Sequence, residues 1–221
     1  MKRLFAALFV AVLLTIAQAG ATVVTSIPGG TVFTMPAVNF FGAGPQTVSV
    51  SPSIIWSSTN ANMQGGSVFG YTGTYGFLAN GAWDGGLGPM AGVNDSFDVY
   101  GVSDTMTFAF ATPVGAVGGF LNYVPGGSTP TTIAVYDSSH SLIESFNLTF
   151  LTGGGIDTGF FFGFQESTAN ISYFTLTDNY VAITDLTTGT AGTTTPEPNS
   201  LLLIGTGLLG VIGYGRRRLG L

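Results

Sequence analysis

Between Thr22 and Thr188 the chain repeats one pattern, a short β-branched or aromatic run broken by Gly, Pro, Asn or Asp. In TMTFAF, Met106, Phe108 and Phe110 alternate with Thr105 and Thr107, so the apolar residues share one face of an extended segment. In SLIESFNLTF, Leu142, Phe146, Leu148 and Phe150 share a face with Glu144, while Ser145, Asn147 and Thr149 lie opposite. A period of two over such lengths predicts half-buried strands. Further strands are predicted in TVVTS, TVSVS, SIIWSS, SFDVYGV, TTIAVYD, GFFFGF, ISYFTL and YVAITDL. No amphipathic helix is recognisable. Roughly ten strands with frequent turns predict an all-β fold, an antiparallel β-sandwich of jelly-roll type, with an up-and-down barrel as the second choice.

The two ends break this pattern. MKRLFAALFVAVLLTIAQAGA places Lys2 and Arg3 before an apolar run from Leu4 to Ala17, then small residues at Ala17 and Ala19. This three-part layout predicts a secretory signal peptide over 1–19, cleaved before Gly20, with cleavage before Thr22 as the second choice. At the other end a run from Ser200 to Gly215 precedes Arg216, Arg217 and Arg218. As a helix it is about 24 Å long at ~1.5 Å per residue, against a hydrocarbon core of about 30 Å. Flanking arginines hold such a helix with its basic end in the cytoplasm and snorkel to cover the mismatch. The predicted topology is an outside body (20–188), a spanning helix and an inside Arg cluster. The Thr- and Gly-rich stretch 189–195 reads as an extended linker.

Charge sharpens the division. Of 221 residues only five are Lys or Arg, and all five lie in these ends; the eleven Asp and Glu fall between Asp84 and Glu197. A body without fixed cations cannot neutralise phosphates, which excludes nucleic acid as a natural partner. At 45 % hydrophobic and 13 % aromatic content the full chain is too apolar for a disordered polymer. With no cysteine, disulfides, thiolate metal sites and thiol catalysis are excluded.

Pro196, Glu197 and Pro198, followed by Asn199, Ser200, a Leu- and Gly-rich apolar run and the Arg cluster, resemble the PEP-CTERM sorting segment of exported proteins in exopolysaccharide-producing bacteria. The resemblance covers residues 196–221. It implies recognition by exosortase, a membrane cysteine protease that cleaves near the motif, after export by the secretion machinery and transient anchoring in the inner membrane. The implied destination is the cell envelope, surface or extracellular matrix, in association with exopolysaccharide. Residues 114–186 are also similar in pattern to the β-sandwich bodies found ahead of such tails, a likeness that transfers no site.

Candidate chemistry in the body is sparse. His140 is the only histidine and sits between two predicted strands, which reads as a surface turn and excludes a histidine-based metal site. Asp157-Thr158-Gly159 matches the D-T-G of aspartic proteases, but that chemistry needs two such carboxylates and one copy exists. A glycosidase pair needs only two carboxyl groups about 5 to 9.5 Å apart, a separation that sequence does not measure. Asn94–Asp98 supplies oxygen ligands for Ca²⁺ without the spacing of a calcium loop. Trp83, Tyr71 and Tyr75, with Trp56, offer flat faces for sugar stacking, which makes a carbohydrate-binding module the alternative function; core filling is the preferred reading of both tryptophans. The sequence therefore predicts a non-enzymatic exported protein with no resident cofactor.

Overall fold

A strand with one apolar face must be covered by a second sheet, because alternate side chains point to opposite sides. The computed structural model describes residues 21–42, 45–59, 66–94, 104–127, 129–178 and 180–192, and in them that requirement is met by two packed antiparallel sheets. Ala17, Ala19, the SFDVYGV segment, Pro196–Pro198 and Arg216–Arg218 lie outside the described residues. The early strands are β1 (Thr22–Val24), β2 (Thr31–Phe33), β3 (Phe40–Gly42), β4 (Gln46–Ser51), β5 (Ile54–Ser58) and β6 (Gly66–Tyr71). A small hairpin, β7 (Tyr75–Gly76) and β8 (Ala82–Trp83), follows. The remainder are β9 (Met90–Asn94), β10 (Asp104–Val114), β11 (Ala116–Tyr123), β12 (Thr132–Tyr136), β13 (Leu142–Asn147), β14 (Phe160–Gln165), β15 (Ile171–Asp178) and β16 (Tyr180–Gly189). The only helical segments among the described residues are two short 3-10 turns, Leu78–Asn80 and Gly85–Leu87.

One sheet runs β1-β14-β11-β16-β9-β6-β3, with β2 also on β16; the other runs β13-β12-β15-β10-β5-β4. Pairing within the last eight strands is nested. β12 pairs with β13, β11 with β14, β10 with β15 and β9 with β16, successive pairs alternating between the sheets. This is a long antiparallel ribbon doubled back at the Asp137–Ser141 turn and wrapped around the core. Asp137 closes that turn, its backbone N–H donating to Ser141 O and its carboxylate accepting from the N–H groups of Ser139 and Ser141.

The core lies between the sheets. Trp56 on β5 meets Phe69 on β6 with ring centroids 5.0 Å apart, and Phe146 on β13 stacks on Phe162 of β14 at 5.6 Å. Met106, Phe108 and Phe110 point inward together, as their alternation predicts. The second predicted face is broken: Leu142 is exposed and Ile143 packs against the core instead. A register shift between Val135 and Tyr136 places Glu144 and Leu142 opposite consecutive residues of β12, and the extra residue turns the alternation over.

Strands β6, β9 and β11 escaped the sequence reading because glycines interrupt them. In β11 and β14 those glycines allow close approach: a Cβ on Gly163 would lie 2.2 Å from Val117 O, and one on Gly118 2.7 Å from Phe162 O. Here glycine marks tight strand packing rather than a turn.

Candidate functional site

Trp83 and Tyr75 are almost wholly buried, at 1 % and 4 % exposure, in a second apolar cluster with Val68, Phe77, Met90 and Ala182. The Trp83 indole N–H donates to Gly88 O at 2.9 Å, which satisfies its one polar atom. Tyr75 stacks on Tyr180 at 4.8 Å and meets Phe77 edge-on at 5.3 Å. Tyr71, half-buried, approaches Tyr75 edge-on at 6.3 Å. The structure therefore places Trp83 and Tyr75 in one buried cluster with Tyr71 packed against its edge, in agreement with the core-filling reading of Trp83 and against a free sugar-stacking face on Tyr75. Trp56 is likewise buried. Tyr180, which opens the predicted YVAITDL strand but was not read as part of the aromatic group, covers Tyr75 from β16; burial raises its phenol pKa, partly offset by a hydrogen bond with Tyr75.

His140 is exposed in the β12–β13 turn, at φ 59°, and stacks on Tyr173 at 4.1 Å. Asp157 accepts from the Gly159 N–H at 2.8 Å and from the Asn122 side-chain amide at 3.1 Å. Asn122 donates in addition to Asn80 O, and Asn80 reaches Phe150 O and the Thr152 N–H. The D-T-G aspartate is thus engaged in a polar network that ties the 148–160 loop to β11 and to the β7–β8 insertion. Such a network satisfies buried amides that otherwise cost stability.

Three other carboxyl groups are buried: Asp104, Asp178 and Glu166. Asp104 and Asp178 stand directly opposite each other across β10 and β15, and the Thr131 hydroxyl donates to Asp178. Glu166 follows β14, and its Oε1 is buried without a hydrogen-bond partner. Burial, and then the Glu144 carboxylate, hold its pKa above the ordinary range, with a backbone hydrogen bond at Ser167 opposing the shift. Of Asn94–Asp98, only Asn94, the last residue of β9, is described. Among the described residues no group of three His, Cys, Asp or Glu side chains is placed to hold a metal ion.

The feature that bears most directly on the tail is where the chain leaves the body. β16 continues to Gly189, which pairs with Ala116, and Gly192 N–H donates to Glu166 O at 2.8 Å. Gly115 N–H donates to Gly189 O at 3.0 Å, and Glu166 N–H donates to Gly115 O at 2.7 Å. Residues 189–192, read from composition as linker, therefore continue the packed body. Gly115 lies under this segment with no room for a side chain. Nothing in the sequence singled out Gly115 or Glu166, since their roles come from contacts distant along the chain. Only residues 193–195 separate the described body from Pro196.

Residues 194–218 match the model of the PEP-CTERM protein-sorting motif. The chain carries a PEP-CTERM sorting tail. The match takes in Pro196, Glu197 and Pro198 and runs through Arg218, the whole of the predicted three-part segment. A PEP-CTERM tail marks an exported protein processed by exosortase and sorted toward the cell envelope or surface. Neither the curated proteins nor the solved structures contain a match to the chain. The PEP-CTERM assignment accordingly concerns the tail, and the body is read from its own geometry.

Proposed function

We propose that this is a non-enzymatic exported protein with a jelly-roll body, delivered by an N-terminal signal peptide and held in the inner membrane by Ser200–Gly215. Exosortase then passes it to the envelope or extracellular matrix, where it associates with exopolysaccharide. The observation that carries the reading is the sorting motif standing three residues beyond a packed chain exit. In this arrangement Arg216–Arg218 stay on the cytoplasmic side and fix the orientation of the helix. The strand orders β14-β11-β16-β9 and β13-β12-β15-β10 support the jelly-roll reading, in which a doubled ribbon alternates between two sheets. A non-enzymatic body is supported by the structural engagement of Asp157 and by the position of His140 in a surface turn. A body kept soluble by Ser, Thr, Asn and carboxylates suits a hydrated polysaccharide matrix.

Replacing Pro196 and Glu197 with alanine in the native host tests the reading. Intact and shortened forms should coexist in membrane fractions of the parent strain, and the shortened form should disappear in the variant. Identical maturation of the two chains would rule out sorting through this motif.

A further inference from the structure

The two points where the chain enters and leaves the body lie in one row of one sheet. Thr22 pairs with Gln165, Gln165 with Ala116, and Ala116 with Gly189. These residues sit on β1, β14, β11 and β16, four adjacent strands, so with strands about 4.8 Å apart Thr22 and Gly189 are separated by roughly 14 Å. The row defines one pole of the sandwich. The β10–β11 corner at Gly115, the exposed 167–170 loop and the Asp137–Ser141 turn lie at this same pole, because Val114 pairs with Ile171 and Tyr136 with Tyr173. β10 runs from this pole to the opposite one and, at about 3.3 Å per residue over eleven residues, spans roughly 35 Å.

The tether beyond this pole is short. Gly192 is hydrogen-bonded to Glu166, and the apolar run begins at Ser200. Eight residue steps cover at most about 29 Å even when fully extended, less than the length of β10. Pro196, four steps out, is confined to within about 14 Å of Gly192.

We infer that the Gly115, Glu166 and Gly192 pole faces the lipid surface in the anchored precursor, so that the opposite pole is the end presented outward. This deepens the sorting reading and rests on it. The orientation comes from the tether: the pole carries Glu166 and Asp137 and no Lys or Arg, a balance that does not attract anionic headgroups. The outward end carries Leu78, Leu151, Ile156 and Phe160, all exposed, on the β7–β8 insertion and the 148–160 loop. The two most exposed apolar side chains, Leu78 and Leu151, thus project away from the bilayer, whereas Leu142 and Val32 are exposed on the tethered side, and the short polar tether leaves the cleavage motif beside the bilayer.

The absence of cysteine allows a direct test with single-cysteine variants of the full chain. Thr168→Cys, in the exposed loop at the inner pole, and Leu151→Cys, at the outer end, would carry the same fluorophore. Each chain is reconstituted in vesicles of phosphatidylcholine with a minority of phosphatidylglycerol and a headgroup-linked quencher. The label at 168 should be quenched at least about twofold more than the label at 151, which lies beyond the five-residue, ~17 Å reach of β11 from Ala116 to Leu121. Insertion of about twenty Gly and Ser residues before Pro196, a coil of roughly 25 Å root-mean-square length, should bring the ratio close to one. Equal quenching of the two labels in chains that float with the vesicles would overturn the pole assignment while leaving anchoring intact. An unchanged ratio after the insertion would overturn the tether as its cause. Chains that fail to float would overturn the anchoring reading itself.

Discussion

Gly115 lies directly beneath Ala191, so closely that a β-carbon on the glycine would stand 2.0 Å from the Ala191 backbone nitrogen. The contact joins the β10–β11 corner to the segment that leads to the sorting tail. It holds the last described residues of the chain, 190–192, against the body.

Gly115→Ala should push residues 190–192 away from the corner, because the obstruction is backbone and has no flexible side chain to yield. The expected loss is about 1–3 kcal/mol of body stability, typical of overpacking. Hydrogen exchange should accelerate at Gly192, whose N–H now donates to Glu166 O, while amides in the centre of β11 and β16 remain protected. Unchanged exchange at Gly192 would show that the exit is not held by this contact.

Trp83→Ala tests the buried cluster. A buried Trp of this kind costs about 3–5 kcal/mol when truncated, so the urea midpoint should fall sharply. An exposed sugar platform would instead lose its aromatic face with little change in stability. A midpoint within error of the parent would return Trp83 to the surface.

Glu166 gives the body a pH dependence of definite sign. Its carboxyl pKa is raised on folding, so its favourable contribution is complete below the unfolded value and is lost as pH rises through the folded value. At neutral pH the folded state must bury either a charge or a proton taken up against the solution. Glu166→Gln, which keeps the shape but cannot ionise, should therefore stabilise the body near pH 7.5 and have almost no effect near pH 4. Urea unfolding of both proteins at the two pH values measures this; a gain that is larger in acid would reverse the assignment.

Asp157→Ala removes the acceptor for Gly159 N–H and for the Asn122 amide, and should cost about 1–3 kcal/mol. Asp157→Asn keeps an oxygen in place and should recover most of that loss. Thermal unfolding of the two variants separates a structural acceptor, for which the amide substitutes, from a group whose charge is essential.

Legibility in the sequence followed the range of the interaction that each residue makes. Met106, Phe108 and Phe110 were assigned correctly because an uninterrupted strand keeps strict alternation, a property of the backbone alone. Leu142 was misassigned because a bulge depends on the partner strand. The glycine-bearing β11 was not among the strands predicted from alternation, because the reason for Gly118, the nearby β14 backbone, lies more than forty residues away. Trp83 and Tyr75 drew attention as flat faces, whereas Tyr180, which covers Tyr75, is remote in the chain.

By itself, the sequence determined the sorting tail, the separation of cationic ends from an anionic middle and the all-β character of the body. Each depends on residue order or composition over short spans, which folding does not alter. Tertiary structure alone decided that the apparent aromatic platform is core, that Asp157 is a structural acceptor and that residues 189–192 belong to the body. It also placed Thr22 and Gly189 in a single row of the sheet. These outcomes depend on strand pairing between distant segments, where register and burial are set by packing against partners that local pattern does not name.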